Sequence, residues 1–358
     1  MKRMKRIVFA LVSIFCFVLV AACGSSPTSN EGNQTSSGPQ GQSEQAKSES
    51  KLSDSGDVLT LKLGHQSPES TNYHIASLKF KELVEEKSGG KVKIEVYPFR
   101  QLGSDRELLE QMQFGTLDFG MISAPPVSGF APETAIMDLP FLFKDWNHVK
   151  AFLNSDASED YKALTDQANI KTLSIMARGF RSITNSKGPI EKPEDLKNLK
   201  IRVIESPIYV EAYKALGTNA QSMSWSDAYT ALEQGAIDAQ ENTLDIIFEE
   251  KVDEVQKYVS KTELHFVFGL LMASQQRFNQ LPKDIQQIVI ESAEEAMVSV
   301  NEQNEKNDAE YEVKLKEKGM QFNDVNKELF KDLVQPVYDN WVDKHGDELL
   351  NKIKALEE

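Results

Sequence analysis

From Val58 onward, apolar and polar positions alternate in two rhythms. VLTLKLGHQ (58–66) and KVKIEVYP (91–98) read as strands, the second with the period of two expected of a half-buried strand. Between them, Ile75, Leu78, Leu83 and Val84 recur at roughly helical spacing from Asn72 to Ser88, and Gly89-Gly90 stop the run. Ser104 to Phe114 is a second predicted helix, with Ser104 as N-cap and Gly115 just past its end. This strand-helix-strand-helix order points to an α/β fold.

Two stretches share one pattern: SDRELLEQMQFGTLDFG from Ser104 and SWSDAYTALEQGAIDAQ from Ser224. In each, a capped helix ends at a glycine (Gly115, Gly235), and a short turn leads through an aspartate (Asp118, Asp238) into a strand. The repetition predicts one helix-turn-strand unit in each of two similar lobes, unless common turn chemistry alone produces it. Further on, Lys283 to Lys318 contains neither Gly nor Pro, and Leu281-Pro282 precedes it as a start signal. As one helix it would span roughly 54 Å, more than a single domain of this size, so it is expected to cross between lobes. Its polar middle, NEQNEKNDAE, leaves open two helices broken near Asn304–Asp308.

The N-terminus follows different rules. MKRMKR is a basic start, and Ile7 to Ala22 is uncharged and apolar but shorter than the roughly 20 residues a spanning helix needs, so it reads as a secretory leader. Val20-Ala21-Ala22-Cys23 resembles a bacterial lipobox, which makes Cys23 the expected lipidation site and residues 1–23 a lipoprotein signal peptide. Two acyl chains anchor stably where one does not. Residues 24–57 are built mostly from Ser, Gly, Gln, Asn, Glu, Thr and Pro, a composition that buries too little to fold. They are expected to form a disordered tether of roughly 30 Å mean reach, holding the folded part extracytoplasmic and close to the membrane.

With 358 residues and 40% hydrophobic content, the chain can supply two ordinary domains. Its formal charge is -15, or -19 without the four bases of MKRMKR. That balance argues against nucleic acid or an anionic lipid surface as partner, since phosphate binding relies on clustered Lys and Arg. A small acidic ligand is not excluded, because its binding depends on a few local charges. Both cysteines, Cys16 and Cys23, lie in the first 23 residues, so the folded part has no disulfide, no thiolate metal site and no cysteine nucleophile.

Enzyme signatures are mostly missing: the five histidines show no HExxH, and there is no GxSxG, GxGxxG or GxxxxGK[ST]. No cofactor and no metal are expected. The informative stretch is Arg178 to Pro207, RGFRSITNSKGPIEKPEDLKNLKIRVIESP. Arg202 stands between Ile201 and Val203 in a predicted buried strand, where an unpaired guanidinium is strongly unfavourable, so it requires a carboxylate from the protein or from a ligand. Its planar fork suits bidentate carboxylate binding. Arg181, in the turn after the strand IKTLSIMA, reaches toward the same point. Residue types alone leave structural salt bridges and ligand contacts equally open.

GFRSITNSKGPI, PEDLKNLKIRV, SMSWSDAYTALEQGAIDAQEN and YPFRQLGSDRELLEQMQFGTLDF resemble the DctP-type substrate-binding proteins of tripartite ATP-independent periplasmic (TRAP) transporters, over nearly all of Val58 to Glu358. The resemblance implies a two-lobed fold of the type II periplasmic-binding-protein kind, bridged by a long helix and closing on a ligand carboxylate. It divides the chain into a first lobe, 58–178 plus 268–307, and a second, 179–267 plus 308–358. By position, Arg202 would form the bidentate pair, Arg181 a second cationic contact, and Asn242 of QEN a hydrogen bond. Trp225, where the family usually has Phe, would pack on the ligand body, and Gln66 and Asp105 would supply polar contacts from the first lobe. Arg178 is expected at the surface.

Sialic-acid-binding members carry Asn two residues after the RV pair and Glu where Ser123 stands; here those positions are Glu205 and Ser123, which disfavours sialic acid. Glu205 could accept hydrogen bonds from ligand hydroxyls, and Trp225 offers stacking area for a sugar ring. A plain C4-dicarboxylate would meet a like charge unless Glu205 points away. A sugar acid such as a hexuronate and a C4-dicarboxylate therefore both stand. The expected function is an extracytoplasmic solute-binding lipoprotein, not an enzyme, delivering a small organic acid to TRAP membrane permease subunits. The alternatives are a secreted hydrolase using paired carboxylates and a ligand sensor docking on a membrane receptor.

Overall fold

The computed structural model describes residues 58–357; the predicted leader, Cys23 and tether lie outside the described residues. Their strands are β1 (Leu59–His65), β2 (Val92–Tyr97), β3 (Phe119–Ser123), β4 (Ile170–Phe180), β5 (Ser182–Asn185), β6 (Lys200–Val203), β7 (Asn219–Ser222), β8 (Ala239–Asn242), β9 (Tyr258–Lys261), β10 (Phe266–Ser274) and β11 (Gln321–Asp324). The helices that frame them are α1 (Asn72–Lys87), α2 (Asp105–Gln113), α3 (Pro207–Ala215), α4 (Trp225–Glu233), α5 (Leu244–Glu249), α6 (Lys283–Glu317), α7 (Glu328–His345) and α8 (Glu348–Lys354). One sheet has the order β2-β1-β3-β10-β4 and the other β11-β9-β5-β8-β6-β7. This is the two-lobed α/β fold the sequence predicts.

The two sheets share a plan. β1 runs parallel to β2 and β3 while β10 lies antiparallel to β3; β6 runs parallel to β7 and β8 while β5 lies antiparallel to β8. The repeated helix-turn-strand units occupy equivalent places: α2 leads into β3 and α4 into β8, with Gly115 and Gly235 at φ +72° and +67°. Both aspartates do the same work, for Asp118 Oδ2 accepts from the Lys62 N–H of β1 at 2.8 Å and Asp238 Oδ2 from the Lys200 N–H of β6 at 3.1 Å. Each thereby ties a helix-strand turn to the neighbouring parallel strand.

Burial corrects the expected face of α1. Ile75 and Leu78 are 49% and 44% exposed, while Tyr73, Ala76, Phe80, Leu83 and Val84 are buried. At about 100° per residue, those five fall within an arc of about 100° facing the first sheet and α6, and Ile75 and Leu78 fall opposite. Burying Tyr73 and Phe80 removes more apolar area than burying the aliphatic pair.

α6 is one continuous helix of 35 residues, with no break at Asn304–Asp308. Its first half buries Ile285, Val289, Ala293, Ala296 and Val300 in the first lobe's core, and Tyr311 and Leu315 join the second lobe's core with Trp225, Ile247 and Val259. The polar middle is used at the crossing: Asn301 Oδ1 accepts from the Ala177 N–H at 2.8 Å and Asn304 Nδ2 donates to the Ala177 carbonyl at 2.6 Å.

The chain changes lobes after Phe180 and again before Phe266, two residues from the expected points, and the Arg181 N–H donates to the His265 carbonyl at 3.0 Å where the crossing segments meet. Assignment of 308–358 wholly to the second lobe does not match the packing. α8 sits on the first lobe, with His148 Nε2 2.8 Å from the Ile353 carbonyl and Lys352 paired with Asp160 at 2.8 Å. α7 spans the two, packing on α3 and donating from Tyr338 Oη to the Pro140 carbonyl at 2.8 Å.

Candidate functional site

In open α/β sheets, ligands bind outside the carboxyl ends of the strands, and the predicted site residues gather there. Gln66 follows β1, Glu205 follows β6, Asn242 ends β8, and Asp105 and Trp225 are the equivalent first residues of α2 and α4. The repeat thus places a carboxylate of one lobe and an indole of the other at equivalent helix starts.

Three guanidiniums are buried around it, and their partners differ. Arg181, 1% exposed, gives Nε and Nη2 to the Glu241 carboxylate, with Nη2 also 2.7 Å from the Glu241 carbonyl. The expectation of Arg181 as a second ligand contact does not fit this geometry, because β5 and β8 lie side by side and Glu241 takes its fork. Arg178, expected at the surface, is buried: its Nε and Nη2 lie 3.4 and 3.3 Å from Asp245 Oδ2, and its guanidinium carbon stands 4.4 Å from the Tyr73 ring centroid. β4 continues through Arg178 to Phe180, and α5 covers it from the second lobe.

Arg202, 2% exposed, makes no salt bridge among the described residues. Its Nε donates to the Met223 carbonyl at 2.9 Å, and its guanidinium carbon lies 5.3 Å from the Trp225 ring centroid. Burial, chiefly, lowers its pKa to about 10, with the Arg181 charge adding to the effect and Glu241 and Glu205 opposing it. A charged fork held in place by one backbone carbonyl and one indole face has its remaining donors available for a carboxylate.

The first lobe supplies an acid. Asp105 Oδ2 accepts from Gln66 Nε2 at 2.6 Å and from the Ser123 N–H at 3.1 Å, while Oδ1 is buried without a hydrogen-bond partner among the described residues. Burial pushes its pKa up to about 7 against the pull of Ser123 and Arg178. Glu205 is half-buried, and burial also raises its pKa while Arg202 and Arg106 draw it down. Glu205 lines a cavity of about 560 Å³ with Arg106, Ser206 and Ser222. Asn242 accepts at Oδ1 from the Thr243 N–H, and its Nδ2 carries no hydrogen bond among the described residues. A larger cavity of about 740 Å³, between α6 and β4 beside Trp146, contains none of these residues.

Tyr73, Glu241 and Asp245 contact the buried Arg178 and Arg181 and carry no sequence signal of their own. Glu241 stands inside the QEN triplet and was legible as a partner only once β5 was known to lie beside β8. Tyr73 and Asp245 become visible through contact with Arg178, which no local pattern marks.

Residues 63–345 match bacterial extracellular solute-binding protein, family 7 (DctP). The 2,3-diketo-L-gulonate-binding periplasmic protein YiaO of Escherichia coli is 33% identical over 237 residues, covering 66% of this chain and 72% of that protein. The C4-dicarboxylate-binding protein DctB of Bacillus subtilis is 29% identical over 304 residues, covering 84% and 87%. The structure of a TRAP periplasmic solute-binding protein from Haemophilus influenzae with bound L-gulonate superposes with a TM-score of 0.80 at 30% identity, over 83% of this chain and 99% of that one. With its two sheets, crossing helix and cleft arginine, the chain belongs to the DctP family of bacterial extracellular solute-binding proteins.

Proposed function

We propose that this protein captures a sugar acid, an aldonate or hexuronate, by its carboxylate and delivers it to a TRAP permease, anchored to the membrane through lipid on Cys23. The observation that carries the reading is Arg202, a buried guanidinium whose two buried neighbours each hold a protein carboxylate while it holds none among the described residues. Relatives solved with L-gulonate, D-erythronate and β-D-glucuronate bind ligands of this chemistry. The rest of the cleft suits hydroxyls: Asp105 Oδ1 and Glu205 as acceptors, Asn242 Nδ2 as donor, and Trp225 as a face for a carbon skeleton. A C4-dicarboxylate fits less well. Its second carboxylate needs another cation, and Arg178 and Arg181 are occupied by Asp245 and Glu241 while Glu205 presents a like charge.

Calorimetric titration with L-gulonate, D-erythronate, D-glucuronate, succinate and malate tests this. Arg202→Ala should weaken sugar-acid binding by roughly 2 to 5 kcal/mol, the range for losing one partner of a buried charge pair. Arg202→Lys should bind poorly too, since an ammonium cannot form the fork. Near-normal affinity in Arg202→Ala, or tight binding of succinate but of no sugar acid, overturns the assignment. For the anchor, Cys23→Ser should move the protein out of the membrane fraction; retention there sinks the lipidation reading.

A further inference from the structure

The first lobe grips α5 of the second through three polar contacts. Asp245 accepts from Arg178 of β4 at 3.3 and 3.4 Å. Glu249 Oε2 accepts from Ser70 Oγ, ahead of α1, at 2.5 Å, and its Oε1 accepts from Tyr311 Oη of α6 at 3.2 Å. Glu250, the residue after α5, takes both terminal nitrogens of Arg100 at 3.1 and 3.3 Å. This last pair is partly buried, with side chains 22% and 11% exposed.

Arg100 is held out for that contact by an unusual backbone. Phe99 and Arg100 both adopt left-handed conformations, φ +50° and +63°, which non-glycine residues seldom take. The Phe99 N–H donates to the Ser67 carbonyl at 3.1 Å and the Arg100 N–H to the His65 carbonyl at 3.2 Å, fixing the turn to the end of β1 just beside Gln66. The Arg100 guanidinium then rests 4.4 Å from the Phe99 ring centroid. On the other side, α5 begins two residues after Asn242, and Thr243 Oγ1 donates to Asp245. Both ends of the clasp thus abut residues of the ligand site, while Ser70, Arg100, Glu249 and Glu250 are not among them. Strained backbone that persists at a contact between the two lobes points to a function for that contact.

We propose that α5 is a clasp: Arg178, Ser70 and Arg100 hold it through Asp245, Glu249 and Glu250, and the two outer contacts set how long the lobes stay shut on a ligand without touching it. This rests on the sugar-acid reading above. Closure that is stabilised by contacts made only in the shut form raises affinity for every ligand by the same factor and acts on release rather than capture.

Rapid-mixing kinetics with L-gulonate and D-glucuronate as probes provide the test. Arg100→Ala and Glu250→Ala should each speed release roughly 5- to 30-fold, the factor for losing one or two kcal/mol, with capture within about two-fold and the same factor for both probes. The reversed pair, Arg100→Glu with Glu250→Arg, should restore most of the loss, which a purely structural role would not do. Ser70→Ala, a gentler change, should move release in the same direction. Wild-type release rates in Arg100→Ala, factors that differ between probes, or no recovery in the reversed pair overturn the clasp. If the wild-type protein binds neither probe, the sugar-acid reading fails instead, and the clasp is read from the protein alone. Spin labels at Lys91→Cys and Glu191→Cys, one per lobe in a chain with no cysteine after Cys23, should then report longer distances in Arg100→Ala and recovery in the reversed pair; an unchanged distribution overturns it.

Discussion

Asp138 lies buried near Arg181, Glu241 and Ser206, and its Oδ2 has no hydrogen-bond partner among the described residues. Burial pushes its pKa up to about 8, so the folded protein keeps this carboxyl protonated where the unfolded chain has lost the proton. Asp105 and Asp308, raised to about 7 and about 8, act the same way. Such groups contribute stability at low pH that is lost as pH rises through the folded-state values. His65 and His265, lowered to about 3 by burial, work in the opposite sense, losing stability as pH falls below the ordinary histidine value. The two effects oppose one another below pH about 6.5, and above it only the acids titrate. Urea unfolding should therefore show stability falling between pH 6.5 and 8, with Asp138→Asn removing about 1 to 2 kcal/mol of that fall at about 1.4 kcal/mol per unit. An identical slope in the mutant would remove Asp138 from the account. None of this was legible in the sequence, because burial of a single Asp in a chain with 55 acids leaves no local pattern. Arg202 was legible because its aliphatic neighbours forced the question of its partner; Arg181 was not, because its partner stands 60 residues away on the adjacent strand.

At the scale of elements, α6 shows how a polar segment can be structural. β4 is an edge strand of the first sheet, and Asn301 and Asn304 meet the Ala177 N–H and carbonyl that the sheet leaves unpaired. Removing one partner of a buried backbone group costs its desolvation, about 1 to 3 kcal/mol. Asn301→Ala and Asn304→Ala should each lower the unfolding free energy by that amount in urea titrations, whereas Glu302→Ala, on the exposed face, should change it by less than about 0.5 kcal/mol. Equal effects at all three positions would mean that helix propensity, not strand capping, dominates. The length of α6 could be read from an uninterrupted run of helix formers, and the repeat of α2 and α4 from its glycine and aspartate punctuation. The inward face of α1 was legible only in part: Leu83 and Val84 are buried as their spacing suggests, but the exposed aliphatic pair Ile75 and Leu78 lies opposite the arc that Tyr73 and Phe80 complete.

At the scale of the whole molecule, the lobes are similar in plan and unequal in assembly. The first sheet has β10 between β3 and β4, and β10 is contributed by a segment that returns from the second lobe. Made from its N-terminus onward, the chain produces β1 to β4 early, yet β4 has no partner in its sheet and β3 shows an open edge until Phe266–Ser274 has been synthesised. The second lobe's β5 to β9 are complete before that point, although β11 and the far end of α6 come later still. Pairing across such sequence separation is slow to form, because the loop must close before any contact rewards it. During that interval the exposed edge of β3 can pair with another chain. The device that binds the two lobes into one hinge therefore also sets the period in which a newly made chain is most exposed to aggregation, and places its end at the emergence of β10.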